Sequence, residues 1–116
     1  MNIETLRDYC LAKPGVTESF PFDSVTLVFK AGNKLFALLD TESRPTTINL
    51  KCDPERAVQL RETFAAVRPG YHMNKTHWNT ITLDGSVRWS DVKEWVDHSY
   101  ELVKKGLPKP VREGLI

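Results

Sequence analysis

The sequence predicts an α+β domain, a two-layer sandwich in which an antiparallel sheet carries its helices on one face, and three observations predict it. Periodic segments follow one another in the order helix, strands, helix, strands, helix. Two pairs of strands are joined by the tight turn dipeptides of hairpins, Gly32-Asn33 and Asp84-Gly85, and the element order predicts an antiparallel sheet. No linker, internal repeat or low-complexity tract interrupts the 116 residues, and their 41% hydrophobic content suffices for one core without disulfide or metal, so residues 1–116 read as a single domain.

Asn2 is placed to cap a helix whose apolar positions Ile3, Leu6 and Cys10 keep helical spacing, and Pro14-Gly15 ends it. Val25, Leu27 and Phe29 alternate with Ser24, Thr26 and Val28, and Gly32-Asn33 turns the chain into Lys34 to Leu39, which makes a hairpin. After Arg44-Pro45 the β-branched run Thr46 to Cys52 continues the sheet. Asp53-Pro54-Glu55 is a helix start, with a capping carboxylate, a proline at the first helical position and an acid at the positive end of the dipole. Ala57, Leu60, Arg61 and Phe64 define one face of that helix.

Beyond Pro69-Gly70, the stretch Tyr71 to Trp78 lacks regular periodicity and reads as a loop. Asn79 to Leu83 alternates again, and Asp84-Gly85 predicts a second hairpin returning through Ser86 to Trp89. The last long helix is expected from Ser90 or Asp91, with Val92, Trp95, Val96, Ser99, Leu102 and Val103 on one face and Gly106 and Pro108 at its end. The basic, proline-broken tail Lys104 to Pro110 reads as a solvated end, with contact to nucleic acid as the alternative.

Bulk charge excludes little: a formal net charge of +1 is not the excess of an obvious nucleic-acid binder, so distribution has to decide. The two cysteines, Cys10 and Cys52, lie outside any C-x-x-C and are expected to be unbridged. The acid met within the first few residues and the absence of a long apolar run argue against secretion and membrane insertion, which leaves the cytoplasm as the expected compartment.

Four separated blocks carry a family likeness. Pro14 to Phe22, Asn49 to Glu55, Pro69 to Asn79 and Ser99-Tyr100, in that order, closely resemble the MmcQ/YjbR family over nearly the whole chain. The resemblance implies a frataxin/CyaY-like α+β sandwich with two β-hairpin wings, and a DNA-binding role attributed to those wings. The iron-binding carboxylate ridge of frataxin-type proteins does not carry over, because the first helix has only Glu4 and Asp8, interleaved with Arg7 and Lys13.

Charge distribution is the other functional signal. From Ser24 to Leu39, Ser43 to Cys52 and Ala65 to Leu83 there is no Asp or Glu, and these segments carry Lys30, Lys34, Arg44, Lys51, Arg68 and Lys75. A sheet face built from them offers donors to phosphates, so the first functional expectation is a non-enzymatic DNA-binding protein using a positive hairpin face. Edge-strand lysines that discourage aggregation explain the same pattern without a ligand.

The alternative is a small-ligand or protein-interaction domain centred on the Tyr71–Trp78 loop. There His72, Asn74 and His77 supply tunable or amide donors, and Trp78 supplies either a stacking surface or a core plug. His72, His77 and Cys52 are too few and too irregularly spaced for a structural zinc site, and a Cys52–His72 pair depends on the fold. With no G-x-S-x-G, no glycine-rich phosphate loop and no paired carboxylates in the acid-free segments, no catalytic residue, metal or cofactor is assigned.

Overall fold

Asn2 caps the first helix as its position predicts: its Oδ1 accepts the Thr5 amide at 2.8 Å, and α1 runs Ile3–Leu11 with Leu6 and Cys10 buried. The computed structural model describes residues 2–115. The strands follow as β1 Val16–Ser19, β2 Thr26–Ala31, β3 Lys34–Asp40 and β4 Thr46–Lys51. Then come α2 Pro54–Thr63, β5 Val67–Pro69, β6 Trp78–Leu83, α3 Trp89–Lys105 and α4 Lys109–Gly114. All six strands form one sheet in the order β1-β2-β3-β4-β6-β5, with every neighbouring pair antiparallel.

The β2–β3 hairpin forms at the Gly32-Asn33 turn, where both residues take positive φ, 54° and 71°. Glycine is needed there for a second reason: a Cβ on Gly32 would lie 2.8 Å from side-chain atoms of both Leu107 and Val111. The C-terminal tail is therefore not a solvated end. Leu107 and Leu115 are buried in the core, and α4 closes over the turn.

Two further expectations are corrected. Residues 86–89 form no strand, because β6 is already paired on both edges, by β4 on one side and by β5 on the other. Asp84-Gly85 still turns the chain, with Asp84 Oδ1 accepting the Ser86 amide, but it leads through the buried Val87 into α3. Helix α3 accordingly begins at Trp89, one or two residues earlier than Ser90 or Asp91, with no side-chain cap at Arg88. Val16–Ser19, read only as part of a motif, is an edge strand whose Glu18 faces the helices and pairs with Arg7 of α1 at 2.5 Å.

The helices lie on one face of the sheet. Leu27, Phe29, Leu39, Ile48, Leu50 and Ile81 from the strands meet Leu6, Val92, Trp95, Val96 and Tyr100 from the helices in one core. Both cysteines are free and buried, and burial pushes the Cys10 thiol up to about 12, far from the thiolate form a nucleophile requires.

Strand β3 departs from simple alternation. Phe29 opposes Ala37 while Lys30 opposes Leu35, so Phe36 is an extra residue, a β-bulge. Phe36 turns into the core with Ala37 and meets Tyr100 edge-on at 5.6 Å. A bulged residue is left out of the ladder, and here the buried hydroxyl of Ser99 donates to the Phe36 carbonyl at 2.5 Å. Ser99→Ala is expected to lower stability by about 1–3 kcal/mol, the penalty for a buried carbonyl left unpaired. Urea unfolding of the two proteins measures it, and an unchanged midpoint would show that the bulge does not need the hydroxyl.

Tyr100, next to Ser99, donates to the Pro14 carbonyl at 2.6 Å. The Cys52 amide donates to the His77 carbonyl at 2.8 Å. The four blocks that carry the family likeness thus meet in pairs, the first with the fourth and the second with the third.

Candidate functional site

The face of the sheet away from the helices is open, and strand register fixes what it displays. One row across it runs Val28, Leu38, Asn49, Thr80, Arg68, and the next runs Thr26, Asp40, Thr47, Thr82. Val28 and Leu38 join Trp78 in a second, small buried cluster, with Leu35 and Met73 packed against it. Above this floor stand two walls: Phe22 and Asp23 from the β1–β2 connection, and Tyr71, His72 and Met73 from the β5–β6 loop. They enclose a concave pocket of about 600 Å³, within the span of about 300–1,000 Å³ usual for small-molecule sites.

The wall from the β5–β6 loop is held by a set of directed bonds. The Gly70 amide donates to the Trp78 carbonyl at 2.8 Å, and a Cβ at Gly70 would come within 2.7 Å of the Trp78 Cβ, so only glycine allows this approach. Lys75 Nζ donates to the Gly70 carbonyl at 3.1 Å, and Asn74 Oδ1 accepts the Thr76 amide at 2.9 Å. From beneath, Arg61 of α2 donates through Nε to Asn79 Oδ1 at 2.6 Å and through Nη2 to the carbonyls of Lys75 and Trp78. Asn79, 1% exposed, donates in turn to the Ala57 carbonyl at 3.3 Å. His72 is left in the left-handed region at φ 60°, a conformation uncommon outside glycine, with its ring 4.0 Å from that of Tyr71.

A polar relay crosses the floor. The Tyr71 amide donates to Thr80 Oγ1 at 2.9 Å, so the single hydroxyl proton of Thr80 is free to go to Asn49 Oδ1, with which it is hydrogen-bonded. That orients the Asn49 amide, whose nitrogen has no partner among the described residues. On the neighbouring strand Asp40 spends only Oδ1 among the described residues, accepting the Glu42 and Ser43 amides at 2.9 and 3.0 Å. Asp23 is held below the ordinary carboxylate range by the amides of Thr26 and Val25 and stays ionised at the pocket's edge.

The residues singled out from sequence fall into several environments. Of the loop candidates, His72 lines the pocket, Trp78 is buried under it, Asn74 is spent on the turn, and His77 contributes its backbone carbonyl to Cys52. Of the basic residues, Lys30, Lys51 and Arg68 belong to the open face, opposite Leu35, Trp78 and Thr80 respectively. Lys34 sits by the turn opposite Ala31, Arg44 bonds the Ser43 carbonyl in its own turn at 2.7 Å, and Lys75 braces the loop. The acid-free segments therefore converge only in part, and the pocket on their face is also lined by two carboxylates, Asp40 on β3 and Asp23 at its edge. Among the described residues no group of three His, Cys, Asp or Glu side chains converges as a metal site, and no helix is long and apolar enough to cross a membrane.

The family model YjbR matches residues 11–102. The chain belongs to the YjbR family. Escherichia coli K12 YjbR, an uncharacterized protein, is 40% identical over the whole of this chain and 98% of its own length. YbdF of Escherichia coli O157:H7, also an uncharacterized protein, is 33% identical over 91% of this chain and 87% of its own length. Among solved structures, Deinococcus radiodurans protein DR2400, with a DUF419 domain, superposes with a TM-score of 0.91 at 43% identity, covering 98% of this chain and 87% of that one. A Pseudomonas syringae protein gives a TM-score of 0.76 at 28% identity over 89% of this chain and 99% of its own. These matches support the YjbR assignment and the α+β antiparallel class; the frataxin likeness rests on the resemblance alone.

Proposed function

We propose that this YjbR-family chain is a binding module whose open sheet face takes a small planar ligand between the Phe22 and Tyr71–His72 walls. The observation that carries this reading is the pocket itself, apolar at Leu35, Leu38 and Met73, polar at a few fixed groups and flanked by two aromatic side chains left exposed, Phe22 at 67% and Tyr71 at 69%. Exposed aromatics beside a concavity supply stacking surface at little ordering cost.

The test is a titration of isotopically labelled protein with adenosine, guanosine, tryptophan and nicotinamide, reading the amide resonances of Asn49, Tyr71 and Thr80. At least one compound is expected to shift these three and leave α3 undisturbed. His72→Gly is expected to keep the stability of the parent, since glycine accepts φ 60° freely, while weakening that binding several-fold. If no compound shifts the three amides, the pocket reading is lost.

DNA binding is the second reading, and one observation favours it: Lys30, Lys51 and Arg68 share the open face. Each phosphate contact on B-DNA steepens the fall of affinity with salt by about 0.9 in log–log slope, so Lys51→Ala and Arg68→Ala should each flatten it by about one unit. Lys75→Ala is expected to act on the loop instead, because its ammonium is spent on Gly70. Absence of duplex and single-strand binding near about 50 mM salt, where even non-specific contacts register, removes this reading.

A further inference from the structure

The polar groups on the pocket floor are complementary to one kind of ligand edge. We infer that the pocket recognises a guanine ring, free or within a single strand, with Asp40 accepting from its N1–H and 2-amino group and Asn49 donating to its O6. This rests on the ligand-pocket reading above and names the chemistry of its ligand.

The inference starts from what each group has left to offer. Asp40, with Oδ1 tied to two backbone amides of its own turn, presents Oδ2 as an acceptor only. Asn49 has its oxygen engaged by the Thr80 hydroxyl, so in this arrangement it presents its amide N–H groups as donors. Asp40 opposes Thr47 and Leu38 opposes Asn49, so the two groups are diagonal neighbours on adjacent strands of the same face, within reach of one ligand.

An acceptor-only carboxylate beside a donor-only amide calls for a planar ring whose edge carries donors next to a carbonyl. Guanine has that edge. Adenine turns a lone pair toward the carboxylate, cytosine carries its donor and acceptors in a different order, and thymine and uracil offer one N–H between two carbonyls, so they lack the second donor and turn a carbonyl to the carboxylate instead. Tyr71 and Phe22 offer the ring its stacking faces, and base–aromatic stacking is indifferent to which base is present, so discrimination falls to the two polar groups.

The experiment is calorimetric titration of the wild-type protein with guanosine, inosine and adenosine, and with two single-stranded pentamers of thymines carrying one central guanine or one central adenine. Guanosine is expected to bind about tenfold or more tighter than adenosine, the discrimination of a good two-point contact, here Asp40 Oδ2 and the Asn49 amide, with inosine, which lacks the 2-amino donor, between them. In Asp40→Asn the amide oxygen can keep the turn bonds while its nitrogen replaces the carboxylate oxygen facing the pocket. That variant is expected to bind guanosine no tighter than adenosine while keeping the urea midpoint of the parent, a split that a merely structural role for Asp40 does not produce. Equal affinity for guanosine and the guanine pentamer identifies a free nucleoside or nucleotide as the natural source, and a tighter, salt-sensitive pentamer identifies the single strand; both uphold guanine recognition. Binding of the compounds with no guanine preference overturns the inference and leaves the pocket reading standing. Binding of none overturns both.

Discussion

Trp78→Ala is expected to be the most damaging of the substitutions considered, lowering stability by about 3–5 kcal/mol, the usual cost of deleting a large aromatic from a packed site. The indole is 7% exposed and shares its cluster with only two other buried side chains, Val28 and Leu38. So small a cluster has little material with which to refill the space. The loss is a large part of the roughly 5–15 kcal/mol that holds a domain together. Thermal and urea unfolding of wild type, Trp78→Phe and Trp78→Ala test it, with phenylalanine expected to fall between the two. A Trp78→Ala protein of unchanged stability that no longer bound single strands would instead make the indole a stacking platform.

The second large effect is expected beneath the loop. Arg61→Leu removes the guanidinium that bonds Asn79 and the carbonyls of Lys75 and Trp78, and Asn79→Leu removes the buried amide between them. Each change alone is expected to cost about 1.5–3 kcal/mol, as charge-assisted hydrogen bonds do, because each strands a partner with its polar atoms unmet. The double variant should cost clearly less than the two added together, by roughly 0.5–3 kcal/mol of coupling. Hydrogen exchange should rise at the Met73 and His77 amides, which bond within the loop, in either single variant. Strict additivity would show that Arg61 and Asn79 act separately.

Much of the fold was legible from local pattern because its central hairpin states its turn and its alternation together. The failures have physical causes. Alternation in residues 86–89 is real but says nothing about whether an edge is free to pair, and β5, three residues long, had already taken it. The edge strand β1 was hidden by Glu18, a charge that faces inward only because Arg7 comes down from α1 to meet it. Arg61 did leave a signal: it shares the apolar face of α2 with Ala57 and Leu60, and an arginine on such a face needs acceptors. His72 could be read as a binding residue from its neighbourhood. Asp40 and Asn49 could not be read as a pair, since they stand nine positions apart and only the β3–β4 register makes them neighbours.

The bulge in β3 also separates two things that a regular strand ties together. In an unbroken strand, which face a side chain visits follows from whether its position is odd or even. Leu35 and Leu38 are of opposite parity, yet both face the pocket, because the count is reset at Phe36. The extra residue therefore acts as an insertion that is silent for every other position: those before and after it keep the faces they would have without it. The helical layer gains an aromatic side chain, and the composition of the pocket floor is unaltered. The interior of this domain and its open face can thus vary independently at this strand, with Ser99 and Tyr100 as the groups on α3 that have to follow the change.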